Sequence, residues 1–375
     1  MMQISPETQL FIREHSSDDV RVLALQAKKY PDIDMPTAIT QIAGRKVAAE
    51  KIPSWWEIEK IWYPKHLSLE QCSSEITARY KARLLQGDSL TDLTGGFGID
   101  CSFLATGFKS ATYVERQEEL CEIAAHNFPV LNLNHINIKN EDGVTYLQVM
   151  SPVDCLFLDP ARRNEHGGKT VAISDCEPNV AELEELLLQK ANRVMIKLSP
   201  MLDLSLALKE LKQTQEVHIL SVNNECKELL ILLGQTSPAE ISIHCVNLFT
   251  KGTQKEQHFV FTREQEQCSE CTYTDSLETY LYEPNASLLK AGAFRSIAAA
   301  YPVRKLHPNS HLYTSDTFIE NFPGRIFRIV NQCSFNKKEV KENLADLKKA
   351  NVTVRNLPAT VAELRKRIHL AEGGD

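Results

Sequence analysis

Residues 90 to 100, Leu-Thr-Asp-Leu-Thr-Gly-Gly-Phe-Gly-Ile-Asp, read as a strand running into a glycine turn and then a helix. Gly95, Gly96 and Gly98 supply positive φ angles and put no Cβ between the main chain and a bound ligand. Turns of this kind serve NAD, FAD, S-adenosylmethionine and simple close packing alike. Asp92 and Thr94 on the strand side and Phe97 inside the turn join the three glycines as candidate cofactor contacts. Residues later in the chain, at suitable distances from the turn, decide among these uses.

Three further acids occupy such positions. Glu115 closes Ala-Thr-Tyr-Val-Glu-Arg, and the two oxygens of its carboxylate match the spacing of a ribose diol. Asp142, in Lys-Asn-Glu-Asp-Gly, is placed to accept a hydrogen bond from an adenine amino group. Their neighbours Arg116 and Gly143 complete the candidate cofactor set. Asp159 closes Cys-Leu-Phe-Leu-Asp-Pro-Ala-Arg-Arg. Any one of these acids is equally explained as a helix cap or first-turn residue. All of them in order, each at a strand end where open α/β sheets bind ligands, favour a nucleoside-bearing cofactor.

Asp159-Pro-Ala-Arg resembles the Asp/Asn-Pro-Pro-X signature of amino-methylating nucleic-acid methyltransferases. In that signature the side chain and the following carbonyl accept hydrogen bonds from an exocyclic amine, and catalysis is largely positioning. Asp159, Pro160 and Arg162 are therefore the candidate catalytic residues. Ala161 replaces the second proline, and Arg162 stands where an aromatic residue would stack on the base. Arg162 can stack through its guanidinium plane or grip a phosphate. Arginine here is also a feature of 5-methyluridine enzymes, which attack through a cysteine at the next strand end. That strand end reads Lys197-Leu-Ser-Pro, and Cys226 lies one strand later, so a cysteine adduct is disfavoured. Cys268-Ser-Glu-Cys271 lacks a second ligand pair for a structural metal, and no metal is expected.

The elements that must position these residues are read from periodicity. Residues 1 to 85 read as helical, with Ile39, Ile42, Ala43 and Val47 at helical spacing and Trp55, Trp56, Ile58, Ile61, Trp62 and Tyr63 as an aromatic packing face. From Ser89 to Gly234 short apolar strands alternate with amphipathic helices, predicting a parallel sheet covered on both faces. Strands are expected at 90–93, 111–114, 135–138, 154–158, 193–198, 217–222 and 228–233. The last two are separated by too few residues for a crossover helix and must form an antiparallel hairpin. An antiparallel last strand favours the class I methyltransferase sheet over an NAD-type Rossmann domain. Strands are then expected at 240–247, 258–262, 325–330 and 351–355, and helices at 337–350 and 360–370. The ending Gly373-Gly374-Asp375, without a strand after the final helix, is read as a truncation.

The chain has 375 residues, 43% of them apolar, and a net charge of −7. It shows neither a leader nor a long apolar run, and its ten cysteines have no repeating spacing, so a cytoplasmic protein with reduced thiols is expected. Arg325 to His369 carries 11 Lys plus Arg against 4 Asp plus Glu, a segment charge of +7. A basic tail on an acidic body suits a polyanion, or is a solvated helix face.

The combination of Asp-Leu-Thr-Gly-Gly-Phe-Gly-Ile-Asp, Tyr-Val-Glu, Asn-Glu-Asp-Gly, Leu-Asp-Pro-Ala-Arg-Arg and Asn-Glu-Cys-Lys-Glu-Leu resembles a Bacteroidetes family of class I S-adenosylmethionine-dependent methyltransferases with a THUMP-like C-terminal domain. The resemblance implies an α/β fold: a Rossmann-like sheet of seven strands with an antiparallel last strand, an N-terminal helical domain and a C-terminal α+β THUMP-like region. Domains are expected at 1–85 (helical), 86–236 (methyltransferase), 237–322 (ferredoxin-like) and 323–375 (THUMP-like, basic). It implies S-adenosylmethionine on Asp92, Gly95, Gly96, Gly98, Glu115 and Asp142, with Asp159 and Pro160 on the acceptor side, and structured RNA, tRNA or rRNA, as partner. A small-molecule or protein methyltransferase, and a non-catalytic RNA binder, are the alternatives.

Overall fold

The computed structural model describes residues 4–162, 172–236, 238–355 and 357–373. The chain divides into two compact units, residues 1–244 with 248–256, and residues 245–247 with 257–375.

The first unit opens with helices α1 (Pro6–Glu14), α2 (Val20–Leu25), α3 (Met35–Lys51), α4 (Pro53–Trp56), α5 (His66–Gln71) and α6 (Glu75–Ala82). Local chemistry sets their starts: the Ser5 hydroxyl and the Asp34 carboxylate accept from Thr8 N and Thr37 N, each beside a proline in the first turn. The aromatic segment after α3 is a packing face. Trp55 is buried edge-on against Phe97 at 5.2 Å, and Tyr63, Ile52, Ile61 and Leu69 belong to the same cluster. Phe97 thus roots the glycine turn in the helical layer.

Strands and helices then alternate: β1 (Ser89–Asp92), α7 (Ile99–Ala105), β2 (Ser110–Glu115), α8 (Glu118–Val130), β3 (Ile136–Asn140), α9 (Gly143–Val149) and β4 (Val153–Leu158). Two-residue strands β5 (Ala161–Arg162) and β6 (Cys176–Glu177) pair with each other, then come α10 (Val180–Lys190), β7 (Ala191–Leu198), α11 (Leu204–Glu210), β8 (Thr214–Val222) and β9 (Glu225–Gly234). The order is β3-β2-β1-β4-β7-β9-β8, parallel as far as β7. β9 enters between β7 and β8, antiparallel to both. The expected hairpin is therefore present. It turns on Asn223 and Asn224, both at positive φ, the pattern of a two-residue type I′ turn. Leu229 to Leu233 and Val194 to Ile196 are all buried, as a sheet covered on both faces requires.

The sheet has nine strands rather than the expected seven. β10 (Ser242–Leu248) and β11 (Glu256–Thr262) are the two further strands. The boundary between the two units falls within β10.

The second unit continues with α12 (Arg263–Cys268), β12 (Tyr280–Pro284), α13 (Ala286–Ala291), α14 (Phe294–Ala300), β13 (Arg304–His307), β14 (Ser310–Ser315), β15 (Gly324–Arg328), α15 (Lys337–Asn343) and α16 (Val361–Ile368). Its four-stranded sheet has the order β13-β14-β12-β15. The helix expected over 337–350 stops at Asn343, whose side-chain amide donates to the Glu339 carbonyl. The expected strand 351–355 does not form: its Val352 and Val354 alternate, yet the segment finds no ladder partner among the described residues. Arg355 instead pairs with Glu283, which also holds Arg325. No described helix is long and apolar enough to cross a membrane.

Truncating Trp55 to alanine would leave a cavity against Phe97 and is expected to cost roughly 3–5 kcal/mol. A urea midpoint unchanged from wild type would show that the glycine turn does not depend on the helical layer.

Candidate active site

The carboxyl ends of the parallel strands open into one cleft of about 2260 Å³, lying wholly in the first unit. Asp92, Thr94, Gly95, Gly96, Phe97, Gly98, Glu115, Arg116, Asp142, Gly143, Asp159 and Pro160 all line it. A pocket for one drug-sized ligand is roughly 300–1,000 Å³, so the cleft has room for two small molecules side by side.

Its first wall is the glycine turn. Of the three glycines expected at positive φ, Gly96 (+54°) and Gly98 (+87°) adopt it and Gly95 does not; Gly95 is required instead by space, since a Cβ there would lie 2.2 Å from the Tyr113 ring. Tyr113 donates its hydroxyl to the Gly96 carbonyl, while Gly96 N donates to Glu115 Oε2 at 2.8 Å. Gln117 N donates to Glu115 Oε1 at 2.8 Å. Each carboxylate oxygen therefore retains a lone pair for a further donor. Phe97 lies in the core, where it anchors the turn.

Asp92 is the second feature. It is 1% exposed; Oδ1 accepts from Thr94 N at 3.0 Å, whereas Oδ2 is buried with no hydrogen-bond partner. Burial pushes its carboxyl up to about 8; the Thr94 N–H opposes this, and Asp100 and Asp159 add to it. An orphan carboxyl oxygen in a cleft, beside a cradle that admits only glycine, fits a ligand that supplies its missing hydrogen-bond partner.

Asp142 caps α9. Its Oδ1 accepts from Val144 N, Thr145 N and the Thr145 hydroxyl, and none of these bonds falls on Oδ2. The cap and ligand readings of Asp142 are thus compatible. Arg116 lies 3.4 Å from Glu177 across an exposed pair. Arg162 pairs through its main chain with Cys176; its side chain lies outside the described residues.

Asp159 is half-buried at the end of β4. Its N–H donates to the Thr94 hydroxyl at 2.6 Å, and Oδ2 lies 2.5 Å from Lys197 Nζ. Burial raises its pKa, and the Lys197 ammonium counters part of that rise. Lys197 sits on a network that sequence pattern did not single out. Its Nζ also reaches Asp100 Oδ2 at 3.2 Å and Ser73 Oγ at 3.1 Å. Lys81, fully buried on α6, contacts Asp100 Oδ1 at 2.9 Å, Glu228 Oε2 at 2.6 Å and Ser73 Oγ at 2.9 Å. Burial opposes the charged form of Lys197, but Asp159, Asp100 and Glu228 hold its pKa well above the usual lysine range. Against the cost of burial, the two lysines keep Asp100 below the ordinary carboxylate range.

A second unforeseen cluster joins Glu216, His218 and His244, whose donor atoms lie within 4.8 Å of one another. The two imidazoles are stacked at 4.3 Å and inclined by only 17°. Ring planes so nearly parallel share no nearby point at which both nitrogens could face one ion. The cluster reads instead as a hydrogen-bonded chain: Tyr80 meets His218 Nδ1 at 2.8 Å, His218 Nε2 meets Glu216 at 3.2 Å, and Arg193 meets Glu216 at 2.9 Å.

Strand order, the glycine turn and the acids at successive strand ends define a class I methyltransferase fold. Over its whole length the chain is 34% identical to a protein of Porphyromonas gingivalis W83 presumed to be a methyltransferase; it covers 94% of that chain, with a TM-score of 0.87. Residues 280–323 match a family described as a ferredoxin-like domain, and residues 324–375 one described as THUMP domain-like. The chain belongs to the Bacteroidetes-type family of class I methyltransferases with a THUMP-like C-terminal domain. β15 lies in the THUMP-like match yet pairs with β12 of the ferredoxin-like match, so one sheet spans both. An rRNA methylase of Streptococcus thermophilus and a SAM-dependent O-methyltransferase of Thermotoga maritima are 15% and 16% identical over 42% and 45% of this chain and are themselves covered over 93% and 68% of their length. Their TM-scores of 0.31 and 0.32 carry no argument about function. No protein of curated function matches.

Asp92 gives the site a pH signature. Its carboxyl holds a proton up to about pH 8 in the folded chain against an ordinary value of 3.8. The folded state binds the extra proton across that window, so this residue's contribution to stability declines as pH rises through it and levels off above. The melting temperature of Asp92→Asn relative to wild type, without ligand, is expected to rise progressively from about pH 4 to about pH 8. A pH-independent difference would refute the protonated assignment.

Proposed function

We propose that this protein is a cytoplasmic, S-adenosylmethionine-dependent methyltransferase that modifies an exocyclic amine of a base in structured RNA. The observation that carries the reading is the convergence of Asp159 and Pro160 with the glycine turn, Glu115 and Asp142 on one cleft. When bound, the cofactor would supply an electrophilic methyl group on a sulfonium. Asp92, the turn from Thr94 to Gly98, Glu115 with Arg116, and Asp142 with Gly143 would hold it. Asp159 would accept a hydrogen bond from the acceptor amine and so orient the nitrogen lone pair toward the methyl carbon; this is catalysis by positioning. The nitrogen proton is then lost to solvent after transfer, so no strong base is required. Arg162 would contact the base or a phosphate.

The RNA part of the reading is supported by the THUMP domain-like match at residues 324–375 and by the charge of +7 on Arg325 to His369. Total RNA from a strain lacking the gene should accept labelled methyl from S-adenosylmethionine. Asp159→Ala should abolish transfer while calorimetry shows cofactor affinity retained. Cofactor binding without transfer to any RNA would move the acceptor to a small molecule or protein. RNA binding without cofactor affinity would leave a non-catalytic member of the fold.

A further inference from the structure

We propose, resting on the reading above, that Lys197 is a positioning residue that converts the Asp159 carboxylate into a partly charge-compensated, single-oxygen acceptor for an uncharged N–H. The pairing is one-sided: Lys197 Nζ lies on Oδ2, and among the described residues no bond falls on Oδ1. The ammonium has three donors, and three acceptors surround it: Asp159 Oδ2, Asp100 Oδ2 and Ser73 Oγ. None is left over for a substrate.

The clamp is itself clamped. Ser73 accepts from both lysines and donates its own proton to Asp100 Oδ2 at 2.7 Å. Lys81 fills the other side of Asp100 and is anchored on Glu228. Lys197 is about 8% exposed and Lys81 is fully buried, so neither ammonium can turn to water without stripping its partners of their charge balance. Two ammoniums face three carboxylates, so Asp159 meets the cleft with one free oxygen on a carboxylate whose charge is partly offset by Lys197, which it shares with Asp100. Such a group orients the neutral planar amine of a nucleobase. It favours an alkylammonium such as a protein lysine less than an uncompensated carboxylate would. The N-terminal helices, through Ser73 and Lys81, become part of the acceptor site.

The test is a double-mutant cycle on the full chain with RNA from the gene-deficient strain. In Asp159→Asn the amide must offer its only oxygen either to Lys197 or to the acceptor, so the rate should fall by roughly a hundredfold, the scale for loss of one preorganised polar group. Lys197→Met leaves an unclamped, uncompensated carboxylate and should also lose rate, in kcat rather than in KM for RNA. In the double variant the amide oxygen is free for the acceptor, and the rate should recover by about tenfold over Asp159→Asn, an ordinary coupling between residues in contact. A double variant no better than the worse single one would overturn the proposal, as would methylation of a lysine-containing peptide in preference to RNA. The clamp is also read without turnover, from the side-chain 15N signal of Lys197 in the full-length wild-type protein, assigned by its loss in Lys197→Met. Its ammonium protons should exchange slowly, and Asp159→Ala should speed their exchange. Exchange unaffected by Asp159→Ala would overturn the clamp even if RNA is methylated. Slow exchange with no RNA methylation would instead sink the functional reading and leave the clamp standing.

Discussion

Two buried ammonium groups hold the structure to its shape. Lys81 and Lys197 share Ser73 and Asp100, and end on Glu228 and Asp159. Removing charges from water is costly, and breaking a buried pair costs more than forming it gains, so every element that supplies a partner must be in place together. The partners come from α6 and the residue just before its cap, the first turn of α7, the ends of β4 and β7, and β9. Five elements distant in sequence thus meet at one point below the cleft. The helices that precede β1 are part of this arrangement: the break between α5 and α6 places Ser73 between the two lysines.

The strands and their order were legible because a sheet covered on both faces is written as uninterrupted apolar runs, as in Leu229 to Leu233 and Val194 to Ile196. The acids that line the cleft were legible for a related reason. Glu115 and Asp159 end such runs, and Asp142 comes soon after the short, alternating edge strand β3, so ordinary strand assignment placed them at the carboxyl edge. Lys81 and Glu228 were not legible. Lys81, in Ala-Arg-Tyr-Lys-Ala-Arg, has the composition of a solvated helix face, and its partner Glu228 is 147 residues away. No local pattern reports a pairing over that distance. The tail shows the converse. Val352 and Val354 alternate as a strand should, but a strand without a ladder partner does not form.

The glycine turn is braced before any ligand arrives. Phe97 is driven into the helical layer against Trp55, the Tyr113 hydroxyl holds the Gly96 carbonyl, and Glu115 holds the Gly96 N–H. Flexible residues thereby acquire one conformation, and the entropy that glycine loses is met during folding rather than at binding. Against this saturated background Asp92 is the exception. Asp100, Glu115, Glu228 and Glu283, the other buried carboxylates among the described residues, all have partners on the protein. Asp92 keeps one oxygen bare, and burial raises its pKa as a result. A fold selected for stability alone would replace that oxygen with an amide or an apolar group, because an unsatisfied buried oxygen costs free energy and contributes no packing. Its retention beside a turn built for close approach is intelligible if the missing hydrogen-bond partner comes from outside the chain, and the cleft is where such a partner would enter.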